Sequence, residues 1–586
     1  MGRSQDYMFP TSLKELERLA WDHIDVILFC GDAFVDHPSF GAAVIARHLQ
    51  SLGYLVAVVP QPNWRDDLRD FRKFGAPRLF FGVTSGAMDS MVNHYTANKR
   101  LRSDDAYTPD GKAGRRPDYA VRTYTRILKR LYPDVPVVIG GIEASLRRLT
   151  HYDYWQDALL PSILVESGAD CLIYGMGERP VAEVASAIDG GRSLLHIPQT
   201  AHYIMSAGEV PSGDDTVFLS SHEECLADKK VFVRNFNIIE TEANKLCPKT
   251  IIEPCGNGFV VVNPPYPPAC EREMDSWYAL PYTRLPHPRY AGKTIPAYEM
   301  IKNSITVHRG CFGGCSFCTI AAHQGKFIQS RSMESVVDEV KILAGHPSFK
   351  GVISDIGAPT ANMYRMGGKD FSRCAACVRK SCLYPRRCPN LDCSHADILK
   401  LYSLVDSVPG VRKSFIGSGI RYDLFLDGEG YIDASGKEYF EEVVLRHTSG
   451  RFKVAPEHTE QSVLDMMNKP PFRLFGTLRR EFSSIVGRHG LKYSIVPYFI
   501  SGHPGCGVRE MKALASNPLL NGINLDQVQE FTPTPMTASS VQYYSCMDLR
   551  TMKSVFVEKS IEGKKRQKSF FYKNARFSDE IRKKTL

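Results

Sequence analysis

Short apolar runs alternate with helical spacing of apolar residues over the first third of the chain. The apolar runs lie at residues 25–31, 55–59, 79–83, 135–139 and 171–175. Apolar positions at helical spacing lie between or after them, over residues 41–52, 121–131 and 180–188. Strand, loop and helix in this succession predict βαβ units with parallel strands and right-handed crossovers. We therefore predict an N-terminal doubly wound α/β domain of about five parallel strands, whose ligands would bind at the carboxyl ends of the strands.

A second series of alternating units begins near residue 295. Its apolar runs lie at residues 305–307, 351–353, 413–416, 452–455, 493–500 and 527–531. Six consecutive βα units predict an open (β/α)6 barrel of the TIM type, in which reactive groups stand on the loops that follow the strands. The predicted fold class is therefore α/β, a doubly wound parallel sheet plus a partial barrel.

Residues 191–294 break the alternation. Apolar runs at 231–233, 250–253 and 259–262, the last two around Gly256-Asn257-Gly258, predict strands and a β-hairpin. A proline-rich run at 263–268 predicts an extended connector. The predicted domains are a sheet domain at 1–190, a hairpin and proline-rich linker region at 191–294, a barrel at 295–550 and a basic C-terminal tail at 551–586.

Composition restricts the compartment more than the activity. The 586 residues are 43% apolar and 23% charged, as in soluble globular proteins. We find no run of roughly 18 apolar residues and no apolar signal core, so we predict no membrane partner. The 16 cysteines cluster at metal-ligand spacings, which favours a reducing cytoplasm over disulfides. The net charge of +9 is mild for this length and does not itself indicate nucleic-acid binding.

The loop at residues 310–318 carries the strongest chemical signal. Cys311, Cys315 and Cys318 stand at the spacing C-x3-C-x2-C. Three thiolates can bind three irons of a 4Fe–4S cluster, which leaves the fourth iron open for another ligand. Three glycines in the loop suit a backbone that folds closely around such a cluster. A zinc knuckle or a chance trio is the alternative, but zinc prefers paired C-x2-C ligands with a fourth ligand further away.

The spacing, with Phe317 just before the third cysteine, resembles the radical S-adenosylmethionine (SAM) superfamily. The resemblance implies that the open iron binds SAM and that an electron from the cluster cleaves SAM to methionine and a 5′-deoxyadenosyl radical. Phe317 would lie against the adenine. A reductant such as flavodoxin or ferredoxin would supply the electron.

The same resemblance implies further contacts to SAM. The turn with Asp355 and Gly357 corresponds to the one that receives the SAM amino group, although its usual second glycine and glutamate are missing. Arg421 and Glu457 stand at predicted strand ends, where they would contact SAM or substrate. Packing or surface pairing is the alternative for both residues.

Five more cysteines fall within an insert at residues 370–396. They are Cys374, Cys377, Cys382, Cys388 and Cys393. So many thiols in so short a stretch predict a second metal site, either zinc or a second iron–sulfur cluster using four of them. The basic residues among them would offset thiolate charge or face an anionic substrate such as RNA.

Long motifs extend the resemblance to one family. The runs at 31–41 and 140–148, the run from His308 to Cys318 and Ala455-Pro456-Glu457-His458 resemble the YgiQ family of radical SAM proteins. The N-terminal domain resembles the cobalamin-binding domain of many such enzymes. It departs from the motif D-x-H-x-x-G, because Asp36 directly precedes His37. We therefore expect this fold to be kept without cobalamin or used for substrate.

Two functions remain open from the sequence. The first is a radical SAM enzyme that acts on an unknown substrate between the barrel mouth and the N-terminal domain. The alternative is a metal-stabilised RNA-binding or electron-transfer module with structural cysteines. The basic, aromatic stretch after residue 559 could bind nucleic acid, although a flexible solubilising tail is favoured.

Overall fold

The computed structural model of the protein describes residues 8–525 and 527–572. The N-terminal part is a sheet domain with strands β1 (Val26–Cys30), β2 (Val35–Asp36), β3 (Val56–Pro60), β4 (Phe80–Thr84), β5 (Val137–Gly140), β6 (His151–Asp153), β7 (Ala158–Leu160), β8 (Cys171–Ile173), β9 (Thr200–Ile204), β10 (Thr216–Phe218), β11 (Thr250–Cys255) and β12 (Gly258–Val262). Its helices are α1 (Leu13–Leu19), α2 (Gly41–Ser51), α3 (Arg69–Arg72), α4 (Ser90–His94), α5 (Ala120–Leu131), α6 (Gly141–Leu146), α7 (Ile163–Ser167), α8 (Glu178–Asp189), α9 (His222–Ala227), α10 (Lys229–Ala243), α11 (Glu271–Tyr278) and α12 (Pro296–Ile301).

The sheet has nine strands in the order β10-β11-β12-β9-β8-β5-β4-β1-β3. Strands β3, β1, β4, β5 and β8 are parallel, as the sequence predicted. The sheet does not stop at residue 190, because β9 and β12 add antiparallel strands and β11 pairs with β12 as the predicted hairpin. Much of the region expected to be a linker, residues 200–262, therefore continues the sheet domain. Strands β1 and β3 are buried along their whole length, which explains their unbroken apolar runs.

One expected strand is helical. Residues 231–233 lie in α10, whose first turn is capped by Asp228 accepting a hydrogen bond from the Lys230 amide at 2.8 Å. Phe232, Phe236 and Ile239 are buried along one face of that helix. A three-residue apolar run fits a strand and a helix equally well, and the spacing over the longer window decides for the helix.

The second part of the chain contains strands β13 (Leu285–Pro286), β14 (Ser304–Thr306), β15 (His308–Arg309), β16 (Gln329–Ser330), β17 (Val352–Ile353), β18 (Asp355–Gly357), β19 (Lys413–Ser414), β20 (Arg451–Glu457), β21 (Ser494–Ser501) and β22 (Val528–Glu530). Its helices are α13 (Ile320–Gln324), α14 (Met333–Ala344), α15 (Phe371–Ala375), α16 (Ala396–Asp406), α17 (Ala434–Arg446), α18 (Gln461–Met467), α19 (Arg473–Arg488), α20 (Val508–Ala515), α21 (Ala538–Ser545) and α22 (Ile561–Tyr572). Neighbouring strands pair in parallel, β14 with β18, β17 with β19, β20 with β21, and β21 with β22, which gives the predicted partial barrel.

Part of the expected flexible tail is an ordered helix. The side chain of Gln567 on α22 accepts a hydrogen bond from the Gly502 amide at 2.8 Å and donates one to the Cys506 carbonyl at 2.9 Å. Lys564 donates to the hydroxyls of Tyr154 and Tyr543. Residues 561–572 thus pack against the barrel and the sheet domain, and the remainder of the basic stretch, 573–586, lies outside the described residues.

Candidate active site

The cysteine loop lies directly after β15, at the carboxyl end of the first barrel strand. Gly310 has φ +86°, and a Cβ there would lie 2.2 Å from the Phe327 carbonyl oxygen. A Cβ on Gly313 would lie 2.5 Å from Arg421 Nη1 and 3.3 Å from Cys311 Sγ. The loop therefore has no room for side chains at these positions, which explains two of the three glycines noted in the sequence.

Two of the three loop thiols have polar partners on other loops. Thr360 Oγ1 lies 3.4 Å from Cys311 Sγ, and Arg421 Nη1 donates to Cys315 Sγ at 3.3 Å. Arg421 is held in turn by Asp423, with contacts of 3.1 Å and 2.6 Å to the two carboxylate oxygens. Burial works to raise the pKa of Asp423, but Arg421 holds it below its usual value. Three soft donors in a glycine cradle beside a cation fit an iron–sulfur cluster with one open iron.

Asp355 and Gly357 stand at the end of β18 and face the next loop. Asp355 accepts hydrogen bonds from the amides of Gly417 and Ser418 at 2.8 Å and 3.2 Å, and from the Ser418 hydroxyl at 2.5 Å. Burial raises the pKa of Asp355. A Cβ on Gly357 would lie 2.3 Å from Ser418 Oγ. Asp355 thus shapes the turn through these hydrogen bonds.

Glu457 at the end of β20 and Phe317 in the cysteine loop each have a partner in the barrel. Glu457 is buried, which raises the pKa of its carboxyl, and it lies 3.6 Å from Lys469 Nζ. Its backbone is left-handed, with φ +68°. Phe317 packs edge-to-face on His503, with ring centroids 6.2 Å apart. The structure thus places Arg421 against the cysteine loop. Glu457 pairs with Lys469, as in the alternative to a role in binding SAM or substrate.

The insert cysteines divide into a group of four and a single residue. Burial is the main cause that raises the pKa of Cys374, and the nearby thiols of Cys377 and Cys388 raise it further. The same two thiols act on Cys382. Cys393 is buried, and the charges that act on its pKa are Arg387 and three aspartates. We call Cys374, Cys377, Cys382 and Cys388 the insert tetrad.

Neither the thiols of the cysteine loop nor those of the insert tetrad converge on one point, as the ligands of a single metal ion would. Among residues 8–525 and 527–572, no group of three or more His, Cys, Asp or Glu side chains has the arrangement of a single-ion site. In a four-iron cluster each thiolate binds its own iron, so cluster ligands do not share one centre.

A cavity of about 590 Å³ lies between the sheet domain and the barrel. One wall comes from the carboxyl ends of the sheet strands, including Gly86, Gly141 and Gly177, and the other includes Asp355 and Ser418 of the barrel. The volume is in the usual range for small-molecule sites, roughly 300–1,000 Å³. The sequence predicted that the strand ends of both domains would hold ligands, and here both face one space.

Two contacts beside the cavity join the domains. Arg309 Nη1 lies 2.6 Å from Glu178 Oε1, and both side chains are buried. His323 on α13 has its Nδ1 3.1 Å from the hydroxyl of Ser145 on α6. The helix that follows the cysteine loop is thereby attached to the sheet domain. Nothing in the sequence pointed to His323 as a partner of Ser145.

Comparison with known proteins identifies relatives of the whole chain. The family model described as "Radical SAM N-terminal" matches residues 8–304. A UPF0313 protein of Bacteroides thetaiotaomicron is 54% identical, over 96% of this chain and 93% of the relative. The UPF0313 protein YgiQ of Escherichia coli is 40% identical, over 92% of this chain and 79% of its own length.

A solved structure has a similar fold. It is the radical S-adenosylmethionine methyltransferase TsrM from Kitasatospora setae, with tryptophan substrate and a SAM analogue bound. The TM-score is 0.50 at 15% sequence identity, over 94% of this chain and 88% of TsrM. At this identity the likeness supports the fold alone. In the part of the chain that the structure describes, no helix is both long and apolar enough to cross a membrane.

Proposed function

Because the chain belongs to the UPF0313 family of radical SAM proteins, which includes YgiQ, we propose that it is an enzyme that reductively cleaves SAM. A 4Fe–4S cluster bound by Cys311, Cys315 and Cys318 would supply the electron that breaks SAM into methionine and a 5′-deoxyadenosyl radical. The observation that carries the proposal is the glycine-lined loop of three thiols with Arg421 at 3.3 Å from Cys315 Sγ.

The residues around the loop have separate roles in this proposal. Arg421 donates a hydrogen bond to the Cys315 sulfur, so it stabilises negative charge on that ligand. Asp423 fixes the direction of Arg421 through its two contacts. Asp355 and Gly357 shape the turn that would receive the SAM amino group, and Glu457 offers a carboxylate near the third cysteine. Phe317 would lie against the adenine.

The cavity between the domains would hold the rest of SAM and the substrate. The glycines on its sheet wall allow a ligand to lie close to the sheet backbone. The buried ion pair of Glu178 and Arg309 connects the two domains beside the cavity. A radical must be kept from water and other hydrogen donors, so a chamber between two domains suits this chemistry. The substrate and the reaction that follows hydrogen abstraction are not assigned.

Cobalamin is not part of the proposal. His37 is buried, its Nδ1 accepts a hydrogen bond from the Ser39 amide at 3.1 Å, and it is not among the residues that line the cavity. Burial holds the pKa of His37 well below its usual value. The histidine that would bind cobalt thus faces its own loop, and we derive no step through cobalamin.

The proposal is tested by anaerobic reconstitution with iron and sulfide, reduction with dithionite and chromatographic assay of 5′-deoxyadenosine after SAM is added. We expect formation by the wild type and its loss in Cys315→Ala. Cys247→Ser is the matched control, because Cys247 is exposed and stands in the sheet domain. A fully formed cluster that yields no 5′-deoxyadenosine and shows no spectral change with SAM would favour the metal-stabilised binding or electron-transfer module instead.

A further inference from the structure

We propose that the insert tetrad, Cys374, Cys377, Cys382 and Cys388, binds a second 4Fe–4S cluster that passes electrons to the cysteine loop. Four thiolates satisfy all four irons, as in clusters that only transfer electrons. The cysteine loop offers three thiolates and leaves one iron open. The two sites are therefore suited to successive tasks, electron delivery at the tetrad and electron use at the loop.

The insert is seated directly on the cysteine loop. The Cys382 amide donates to the Phe312 carbonyl at 3.1 Å, and Ser381 Oγ donates to the Gly313 carbonyl at 2.7 Å. A Cβ on Gly314 would lie 2.7 Å from the Lys380 carbonyl oxygen. Cys382 of the tetrad is thus hydrogen-bonded to the backbone of the loop that carries Cys311, Cys315 and Cys318. An electron could pass between the two sites through these contacts without crossing solvent.

A buried cation without a counter-ion lies at the tetrad. Lys326 is 5% exposed, and its ammonium donates to the carbonyl oxygen of Arg379 at 2.5 Å. No carboxylate within the described ranges forms an ion pair with it. Arg379 stands between Cys377 and Cys382 in the sequence, so the Lys326 ammonium is held against the loop that carries the tetrad. A cluster bound by four thiolates is anionic, so it would supply the partner that this lysine lacks.

The polypeptide around the tetrad supports a bound group rather than free thiols. Asn390 Nδ2 lies 3.6 Å from Cys374 Sγ, and the Cys388 amide donates to the Cys382 carbonyl at 2.8 Å. Cys382 and Cys388 pack against the same apolar cluster as Phe312. Cys393 belongs to the buried members of that cluster and has no tetrad thiol among the charges acting on it. It is thus the natural control for substitutions in the tetrad.

The electron path needs one external donor. A low-potential one-electron donor such as reduced flavodoxin or dithionite gives one electron to the tetrad site, which passes it to the loop site. SAM takes up that electron as its bond between sulfur and C5′ breaks, so no electron or atom is left over. This relay rests on the proposed function, whereas binding of the second cluster does not.

The binding claim is tested without the SAM site. In the full chain with Cys311, Cys315 and Cys318 all replaced by alanine, we expect reconstitution to leave about four irons and four sulfides per chain. Adding Cys377→Ser and Cys388→Ser should reduce both counts to near zero, and adding Cys393→Ser should not. Mössbauer and electron paramagnetic resonance spectra identify the cluster. One tightly bound zinc in place of iron and sulfide, or unchanged counts in the Cys377→Ser and Cys388→Ser variant, would overturn the proposal.

The unmodified holoprotein gives the same test without any substitution, since two clusters require about eight irons and one cluster requires about four. For the relay, 5′-deoxyadenosine is measured with reduced flavodoxin as donor. We expect Cys388→Ser to slow its formation about tenfold or more, and Cys393→Ser to leave it unchanged. An unchanged rate in Cys388→Ser that has lost the second cluster would refute the relay, and absence of cleavage in the wild type would instead refute the proposed function.

Discussion

The sheet domain and the barrel use their buried charged residues in different ways. Beside the sheet wall of the cavity, Asp32 is 3.0 Å from Arg116, which also contacts Asp105 at 2.9 Å, and all three are buried. In the barrel, beside the cysteine loop, Arg421 contacts Asp423 and its Nη1 also donates to Cys315 Sγ. The ion pairs of the sheet domain hold its own loops together. Arg421 of the barrel also contacts a cysteine that would bind iron.

This difference separates residues that fold the chamber from residues that work in it. The sheet domain presents mainly glycine and apolar residues to the cavity, and the carboxylates of Asp32 and Asp105 are already paired with Arg116. Removing one member of such a buried pair is strongly destabilising, since the other is left charged and unpaired. Substitutions in this group of the sheet domain should therefore reduce stability, and substitutions beside the cysteine loop should reduce activity.

The largest effect is expected for Arg116→Met. This change leaves the carboxylates of Asp32 and Asp105 without their cation, at a cost of about 3–5 kcal/mol in the free energy of unfolding. Urea unfolding followed by circular dichroism measures it, and Arg115→Met is the matched control because Arg115 is exposed. SAM cleavage lost without any change in unfolding would show that the sheet wall also takes part in the chemistry.

The next effect, expected for Arg421→Lys, is on the rate of SAM cleavage, with little effect on the free energy of unfolding. Lysine keeps the charge but cannot contact Asp423 with two nitrogens and Cys315 with a third. We expect 5′-deoxyadenosine formation to fall about 100-fold, or about 2.7 kcal/mol, with little change in melting temperature. Arg451→Lys, at an exposed position on β20, is the control. If the melting temperature falls and the rate per folded molecule does not, Arg421 serves the fold alone.

The smallest effect concerns a sheet-domain carboxylate that forms no ion pair with any residue the structure describes. Glu253 is buried, and burial raises its pKa from 4.5 to about 7. The folded protein thus binds this proton more tightly than the unfolded chain, so its stability falls as pH rises from 4.5 to 7. Glu253→Gln should remove this fall, so the variant should gain stability relative to the wild type between pH 5 and pH 8. Thermal unfolding at pH 5 and pH 8 measures both, and an equal change at the two pH values would contradict the assignment.

The sequence predicted the elements of the fold better than the limits of its domains. Five parallel strands and six barrel units follow from apolar runs, since each run must be buried to form a strand. The extension of the sheet by residues 200–262 could not be predicted in the same way. A hairpin motif indicates that two strands pair with each other, but not which other strands they pair with. The helix at 561–572 was not predicted, because its basic composition suggests an exposed tail. Nothing in the sequence indicates that the polar side chains of Lys564 and Gln567 are buried.

The candidate site shows the same limit at the level of single residues. Cys311, Cys315 and Cys318 could be found by spacing, because they lie within one loop. Lys326 and Thr360 could not, since contacts between distant loops leave no local pattern. The sequence treated the five insert cysteines as one set, and only the three-dimensional arrangement sets Cys393 apart from the tetrad.

Helix α22 also bears on the order in which the molecule is made. The Gly502 amide in the barrel donates a hydrogen bond to Gln567, and Tyr154 of the sheet domain receives one from Lys564. A ribosome synthesises residue 154 some 400 residues before Lys564, at about 5–20 residues per second. Residues of the sheet domain are therefore made tens of seconds before α22 can contact them. Iron that arrives during translation would meet the cysteines of a barrel not yet closed.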